Sequence, residues 1–471
     1  MAIPRRNTLL LLLLVCSIPV LMAERGGREG EEEEEEEEHR GGEGRLFMLK
    51  NPKQVMKSEG GEVTVFRGFR RRGTATPIHI GFINMEPSTL FIPQYIDASL
   101  ILFVRRGDMR IGWIYKDDLV EKQLKIGDVY RIPAGSAFYI TNTGRGQRLQ
   151  IICSMDATEN LGDDFFQSFF IGGGTNTPSV LAGFDVRTLT TAFNVSTEEL
   201  TAILEGNKDG PFVYLRNPDQ PRGWADLMKL KHKGMRAEIA LDEECDEESV
   251  RDEEQTTVWS WRKLLKAFFI GKENKKKKNS AVKAPDSYNL YERDPDFRNN
   301  YGWSVAISEH DYYPLRRSGI GVYLVNLTAG SMMAPHLNPT ATEYGVVLRG
   351  SGSIQVVFPN GTSAMNAKVQ EGDVFWIPRY YPFCQIASRS GPMEFFGYTT
   401  SSRRNRPQFL AGRSSILQTM GGEEMALALD ISLKSYNRFR GSQREEIILP
   451  ELLTPPETTT EPEIIRKSGE I

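Results

Sequence analysis

Residues 330–350 read GSMMAPHLNPTATEYGVVLRG, and their spacing decides the fold. The frame is Gly330, five residues, His336, one residue, Asn338, four residues, Glu343, six residues and Gly350. Side chains on a strand repeat every second residue, so His336 and Asn338 point to one face. The frame predicts a small β-barrel with polar groups aimed inward.

The same frame occurs earlier in the chain. LFIPQYIDASLILFVRRG at Leu90 to Gly107 corresponds to MMAPHLNPTATEYGVVLRG at Met332 to Gly350, and GDVYRIPAG at Gly127 to Gly135 returns as GDVFWIPRY at Gly372 to Tyr380. PSVLAGF at Pro178 to Phe184 is echoed by PQFLAGR at Pro407 to Arg413. One module is therefore used twice. Within each copy short apolar runs such as ILFV at Ile101 to Val104 and SIQVVF at Ser353 to Phe358 are punctuated by Gly, Pro and Asn, the pattern of a jelly roll or closed barrel. The periodicity turns helical after each barrel, at STEELTAIL from Ser196 and GGEEMALALDIS from Gly421.

Around the modules the composition changes. Arg5 and Arg6, an apolar run from Leu9 to Val20 and Ala23 make a secretory signal peptide cut after Ala23. That run falls short of the roughly 20 apolar residues of a membrane span, and no later segment reaches it. The chain divides into a signal peptide (1–23), a disordered acidic segment containing Glu31 to Glu38 (24–44), an N-terminal module (45–230), a charged linker (231–293), a C-terminal module (294–450) and a disordered tail (451–471). The linker carries a basic amphipathic stretch, VWSWRKLLKAFF from Val258, and the run Lys275 to Lys278. A net charge of -4, with no basic stripe on a folded segment, excludes a general nucleic-acid binder. Cys153, Cys245 and Cys384 remain after the signal, too few for a disulfide framework, though one bridge is open to them. Sequons occur at Asn194, Asn326 and Asn360. Asn326 sits in a strand pattern, so Asn194 and Asn360 are the better glycan acceptors.

The paired frames Gly-x5-His-x-His-x3/4-Glu-x6-Gly and Gly-x5-Pro-x-Gly-x2-His-x3-Asn are the two cupin motifs. Two of them in one secreted chain, each with a helical extension and joined by a charged linker, resemble a vicilin-type 7S seed storage globulin of plants. The resemblance runs from Leu46 to Pro450. It implies a mainly β fold of two cupin jelly-roll barrels, each followed by a small α-helical extension. It also implies a homotrimer assembled through those extensions, and deposition in protein storage vacuoles, with an extracellular location as the alternative. Fold alone implies no catalysis.

The motif positions show what chemistry is left. In the N-terminal copy Gln94, Ile96 and Leu100 stand at the three ligand positions of the first motif and Phe138 at the histidine of the second, so this barrel offers a metal almost nothing. In the C-terminal copy His336 and Glu343 match, Asn338 replaces the second histidine, Phe383 replaces the third, and Tyr380 and Ala387 replace the motif glycine and asparagine. Cys384 could join His336, Asn338 and Glu343 around copper or zinc if a bulge near Pro382 turned it inward. Otherwise His336 is a hydrogen-bonded barrel residue and Cys384 a small core hydrophobe. Three functions compete: a nutrient reservoir, a binding module for a small anion, sugar or copper ion with Tyr344, Trp376 and Tyr380 near its mouth, and a metal-dependent oxidase or dismutase. The degenerate site beside an intact frame favours the non-catalytic reservoir.

Overall fold

The repeated Gly-Asp-Val turn builds the same corner twice. Gly127 and Gly372 hold φ at 88° and 92°, a left-handed conformation in which a Cβ is strained. The aspartate that follows locks each turn: Asp128 Oδ2 accepts from the Lys125 N–H at 2.9 Å and Asp373 Oδ2 from the Gln370 N–H at 2.8 Å. From these corners the chain enters strands Asp128–Ile132 and Val374–Ile377.

The computed structural model describes residues 46–68, 78–157, 165–215 and 283–451. They fall into two compact units, one drawn from 50–294 with 311–319, the other from 1–49, 295–310 and 320–471. Each unit is a pair of antiparallel sheets. The larger N-terminal sheet runs Tyr288–Asn289, Asp128–Ile132, Ala98–Arg106, Leu149–Ala157, His79–Met85, Gly61–Phe66 and Lys53–Ser58. Its C-terminal counterpart runs Met48–Leu49, Val374–Ile377, Glu343–Arg349, Met393–Thr399, Gly321–Leu327, Gly302–Ile307 and Phe297–Asn299. The second sheet is built around Thr89–Ile96 and Phe138–Asn142 in one unit and around Phe383–Ala387 in the other. In Ser363–Gln370 Met365, Ala367 and Val369 are buried while Asn366, Lys368 and Gln370 are exposed, the period-two alternation of a sheet with one wet face.

The units differ from the boundaries at 45–230 and 294–450 in what closes each sheet. Met48–Leu49, inside the expected start of the first module, pairs with Val374–Ile377 in the C-terminal unit, and Tyr288–Asn289, from the expected linker, pairs with Asp128–Ile132 in the N-terminal unit. Both are two-residue strands placed by apolar neighbours such as Leu49 and Leu290, 5% and 0% exposed. The linker before residue 283, with the stretch from Val258 and the lysine run, lies outside the described residues, as do the signal segment, the acidic run, Cys245 and the tail beyond Glu451.

The helical extensions follow from their caps. Ser196 Oγ accepts from the Glu199 N–H at 3.2 Å and opens Thr197–Leu204, with Glu198 and Glu199 in its first turn. The pattern from Gly421 forms a helix only over Glu423–Ala428, because Asp430 turns left-handed (φ 53°) and Ser432 caps a new helix, Leu433–Arg440. No helix among the described residues is long and apolar enough to cross a membrane.

Candidate functional site

His336 and Asn338 lie on or beside the short strand His336–Leu337, and Glu343 opens strand Glu343–Arg349. All three are buried, at 3%, 2% and 6% exposure. His336 faces Phe383 across the strands, with ring centroids 4.1 Å apart, and Phe409 on its other neighbour at 5.1 Å. Its Nδ1 lies 2.7 Å from the Ala334 carbonyl. A carbonyl only accepts, so this bond places the proton of the neutral ring on Nδ1. Burial pushes the imidazole down to about 4, against the opposing pull of the Ala334 bond.

Glu343 and Asn338 form a closed pair. Asn338 Nδ2 donates to Glu343 Oε1 at 2.9 Å, and Asn338 Oδ1 accepts from the backbone N–H of Thr340 and Ala341 at 3.0 and 3.1 Å while facing the Thr340 hydroxyl at 3.0 Å. The Tyr323 hydroxyl donates to the Tyr344 carbonyl at 3.3 Å, close enough to Glu343 to act on its carboxyl. Burial pushes the Glu343 carboxyl up to about 7, with Asn338 and then Tyr323 resisting, and it drives the Tyr323 phenol well above its usual range. Tyr323 lies outside both motifs, and Thr340 is one of the unspecified residues inside the first. Asn-Pro-Thr at 338–340 does carry an Asx-turn pattern, and that accounts for the Asn338 bonds to the loop.

Cys384 stays on the other face. Strand Phe383–Ala387 pairs in unbroken register with Ser351–Val357, Cys384 opposite Gln355, so no bulge turns the thiol toward His336. Its Sγ lies 3.9 Å from Gln355 Oε1, and burial pushes the thiol up to about 11. Cys153 and Cys384 are both free and buried. Tyr344 and Trp376 are core residues at 3% and 8% exposure, leaving Tyr380 as the surface aromatic at 58%.

This donor set does not fit copper or zinc. A metal at this corner would find His336 Nε2 and one carboxylate, with the Asn338 oxygen already engaged and Phe383 standing where a further imidazole belongs. Among the described residues no group of three or more His, Cys, Asp or Glu side chains could hold a metal ion.

In the N-terminal barrel Gln94 pairs with Phe138 as His336 pairs with Phe383, and Leu100 pairs with Ile132 as Glu343 pairs with Ile377. The Gly135 N–H donates to the Ile96 carbonyl at 2.8 Å, as the Tyr380 N–H does to Asn338 at 2.9 Å. Gln94 is fully buried, and neither of its amide atoms has a hydrogen-bond partner among the described residues.

The cupin family model matches residues 47–201 and 288–435. A vicilin-like seed storage protein of Arabidopsis thaliana is 51% identical over 416 residues, covering 87% of this chain and 81% of its own. The chain belongs to the vicilin-like seed storage proteins. A vicilin of Pistacia vera is 26% identical over 409 residues, 83% of this chain and 66% of its own. The crystal structure of hazelnut vicilin (Corylus avellana) superposes with a TM-score of 0.68 at 21% identity, over 86% of this chain and 99% of its own. A vicilin from Solanum melongena, described with different anionic ligands in structurally similar pockets, gives 0.69 at 20% identity, over 86% and 97%. Family membership makes the protein a non-catalytic seed storage protein, and the two-barrel fold expected from the repeated motifs is the one present.

Proposed function

We propose that this protein is a nutrient reservoir of the seed that enters the secretory pathway, assembles as a homotrimer through its helical extensions and is deposited in protein storage vacuoles. The observation that carries this is the corner at His336: the backbone frame of a cupin site is intact in both barrels, while its polar side chains are engaged within the protein at the C-terminal corner and all but Gln94 are replaced by apolar ones at the N-terminal corner. Apolar side chains left at the surface of the extensions support assembly there, with Phe193 at 53%, Ile203 at 61%, Leu427 at 82% and Phe439 at 59% exposure. Glycan attachment fits Asn360 and Asn194, both exposed, better than Asn326, which is half-buried in its sheet. Sizing chromatography with light scattering on protein from seed protein bodies tests the reading. A trimer mass from an abundant fraction is expected; a monomer found as a trace component of leaf cell walls overturns it.

His336, Asn338, Glu343 and Cys384 act in this reading as structural residues, not as copper or zinc ligands. Metal analysis of the purified protein checks this: copper or zinc at unit stoichiometry, lost on His336→Ala, would refute it. A sugar at the C-terminal mouth is disfavoured by the burial of Tyr344 and Trp376.

A further inference from the structure

We propose that the acidic run Glu31–Glu38 docks within its own chain on a rim of four arginines at one end of the C-terminal barrel. Three loops meet there, 338–342, 378–382 and 400–408. The Tyr380 N–H donates to the Asn338 carbonyl at 2.9 Å and the Thr342 N–H to Thr400 Oγ1 at 2.9 Å. The Arg379 N–H reaches Thr342 Oγ1 at 3.4 Å, and the Thr340 hydroxyl contacts Asn405 Oδ1. These loops carry Arg379, Arg403, Arg404 and Arg406, all exposed, and contain no carboxylate. None of the four is in an ion pair with a described residue. The carboxylate beside the rim, Glu309, accepts from the Ser402 hydroxyl at 2.6 Å. The Arg379 guanidinium lies 4.7 Å from the Tyr380 ring centroid, which holds it outward on an exposed aromatic face. Four like charges gathered this way repel one another and raise the local affinity for an anion.

The chain brings such an anion to the same place. Phe47 accepts a backbone hydrogen bond from the Trp376 N–H at 3.0 Å, and its ring lies 5.6 Å from that of Tyr381, two residues beyond Arg379. Eight consecutive glutamates end at Glu38, nine positions before Phe47. Nine extended residues reach about 30 Å, so the run is tethered within range of the rim, at an effective concentration on the order of millimolar. Guanidinium groups pair carboxylates through two parallel hydrogen bonds, which suits a polyglutamate ligand.

The test is digestion of the full-length mature protein with a Glu-specific protease, following release of the N-terminal peptide. In low salt the wild-type run is expected to be cut about tenfold more slowly than in a variant with Arg379, Arg403, Arg404 and Arg406 all changed to Gln, the combined effect of several weak surface pairs. About 0.5 M NaCl should erase the difference, because screening at that strength acts within a few ångströms. A quadruple Arg→Lys variant should keep most of the protection, and a circular dichroism spectrum matching wild type shows that each variant is folded. Equal cleavage of the wild-type and Gln variants in low salt overturns the proposal. Protection that fades on dilution assigns the run to a second copy and overturns the intrachain docking.

Discussion

At one corner of the C-terminal barrel His336 packs on Phe383 while Asn338 holds Glu343; at the matching corner of the N-terminal barrel Gln94 lies opposite Phe138 in the sheet, and Ile96 and Leu100 take the places of Asn338 and Glu343. The backbone pairing is the same in both, down to the bond from Gly135 or Tyr380 to the residue two after Gln94 or His336. The frame is thus independent of the polar residues it surrounds. It is held by strand register and by the turns at Gly127 and Gly372, so the contents of the corner were free to diverge. One copy kept a polar set that satisfies itself. The other became apolar except for one amide.

The sharpest way to break this comparison is to remove the acceptor on which the C-terminal corner closes. Asn338→Ala strips Glu343 of a donor and leaves the N–H groups of Thr340 and Ala341 without their acceptor. Burying such groups unpaired should cost about 4 kcal/mol, seen as a fall of about 10 °C in the C-terminal transition by scanning calorimetry. Asn338→Ile with Glu343→Leu recreates the N-terminal pair and should recover only about half, because the loop N–H groups still lack an acceptor. Full recovery would show that the loop bonds contribute nothing.

Next in size is an opposed pH response. Glu343 is raised from 4.5 to about 7, so its folded form holds a proton that the unfolded chain releases, and stability falls as pH rises from about 4.5 through 7. His336 is lowered from 6.5 to about 4, so the unfolded chain takes up a proton first, and stability falls as pH drops from about 6.5 through 4. The two slopes nearly cancel between them in the wild-type barrel. Glu343→Gln should expose the histidine slope and His336→Leu the glutamate slope, each on the order of 3 kcal/mol across its window by urea titration at stepped pH. Parallel slopes in the two variants would contradict the assignment. Gln94 and Leu100 do not titrate, so the N-terminal corner has no counterpart to this effect.

A smaller effect is expected from that lone amide. Gln94→Leu removes two buried, unpartnered polar atoms and should raise the stability of the N-terminal barrel by about 2 kcal/mol in the same calorimetric scan. A loss of that size would mean that Gln94 holds a bound polar partner.

These positions also mark how far the sequence could be read. Strand alternation placed His336 and Asn338 on one face and Cys384 on the face opposite Phe383, because both facts depend only on period two and an unbroken register. The partners that decide what the site does were not legible. Tyr323 comes from strand Gly321–Leu327, whose sequence GVYLVNL reads as any buried strand, and only the tertiary fold brings its hydroxyl to the Tyr344 carbonyl beside Glu343. Met48–Leu49 and Tyr288–Asn289 carry two residues each, too few for a periodic signal, so the segments that close the sheets fell on the wrong side of the module boundaries. The helical pattern from Gly421 was real but interrupted, since a left-handed Asp430 leaves little trace in composition.

The smallest difference between the copies is conformational. Gly135 and Tyr380 occupy equivalent turns with φ of 74° and 78°, natural for glycine and strained for tyrosine. Tyr380 gains something in return, since its exposed ring carries the Arg379 guanidinium at 4.7 Å. Comparing two variants separates the contributions. Tyr380→Ala loses the ring and keeps the Cβ, whereas Tyr380→Gly loses both, so glycine should be the more stable of the two by about 1 kcal/mol in urea unfolding. Gly135→Ala should cost the N-terminal barrel about the same, because a Cβ there meets nothing within 4 Å and the penalty is the backbone angle alone. If alanine matched glycine at both positions, the turn would relax at no cost and the glycine of the motif would not be needed for its backbone.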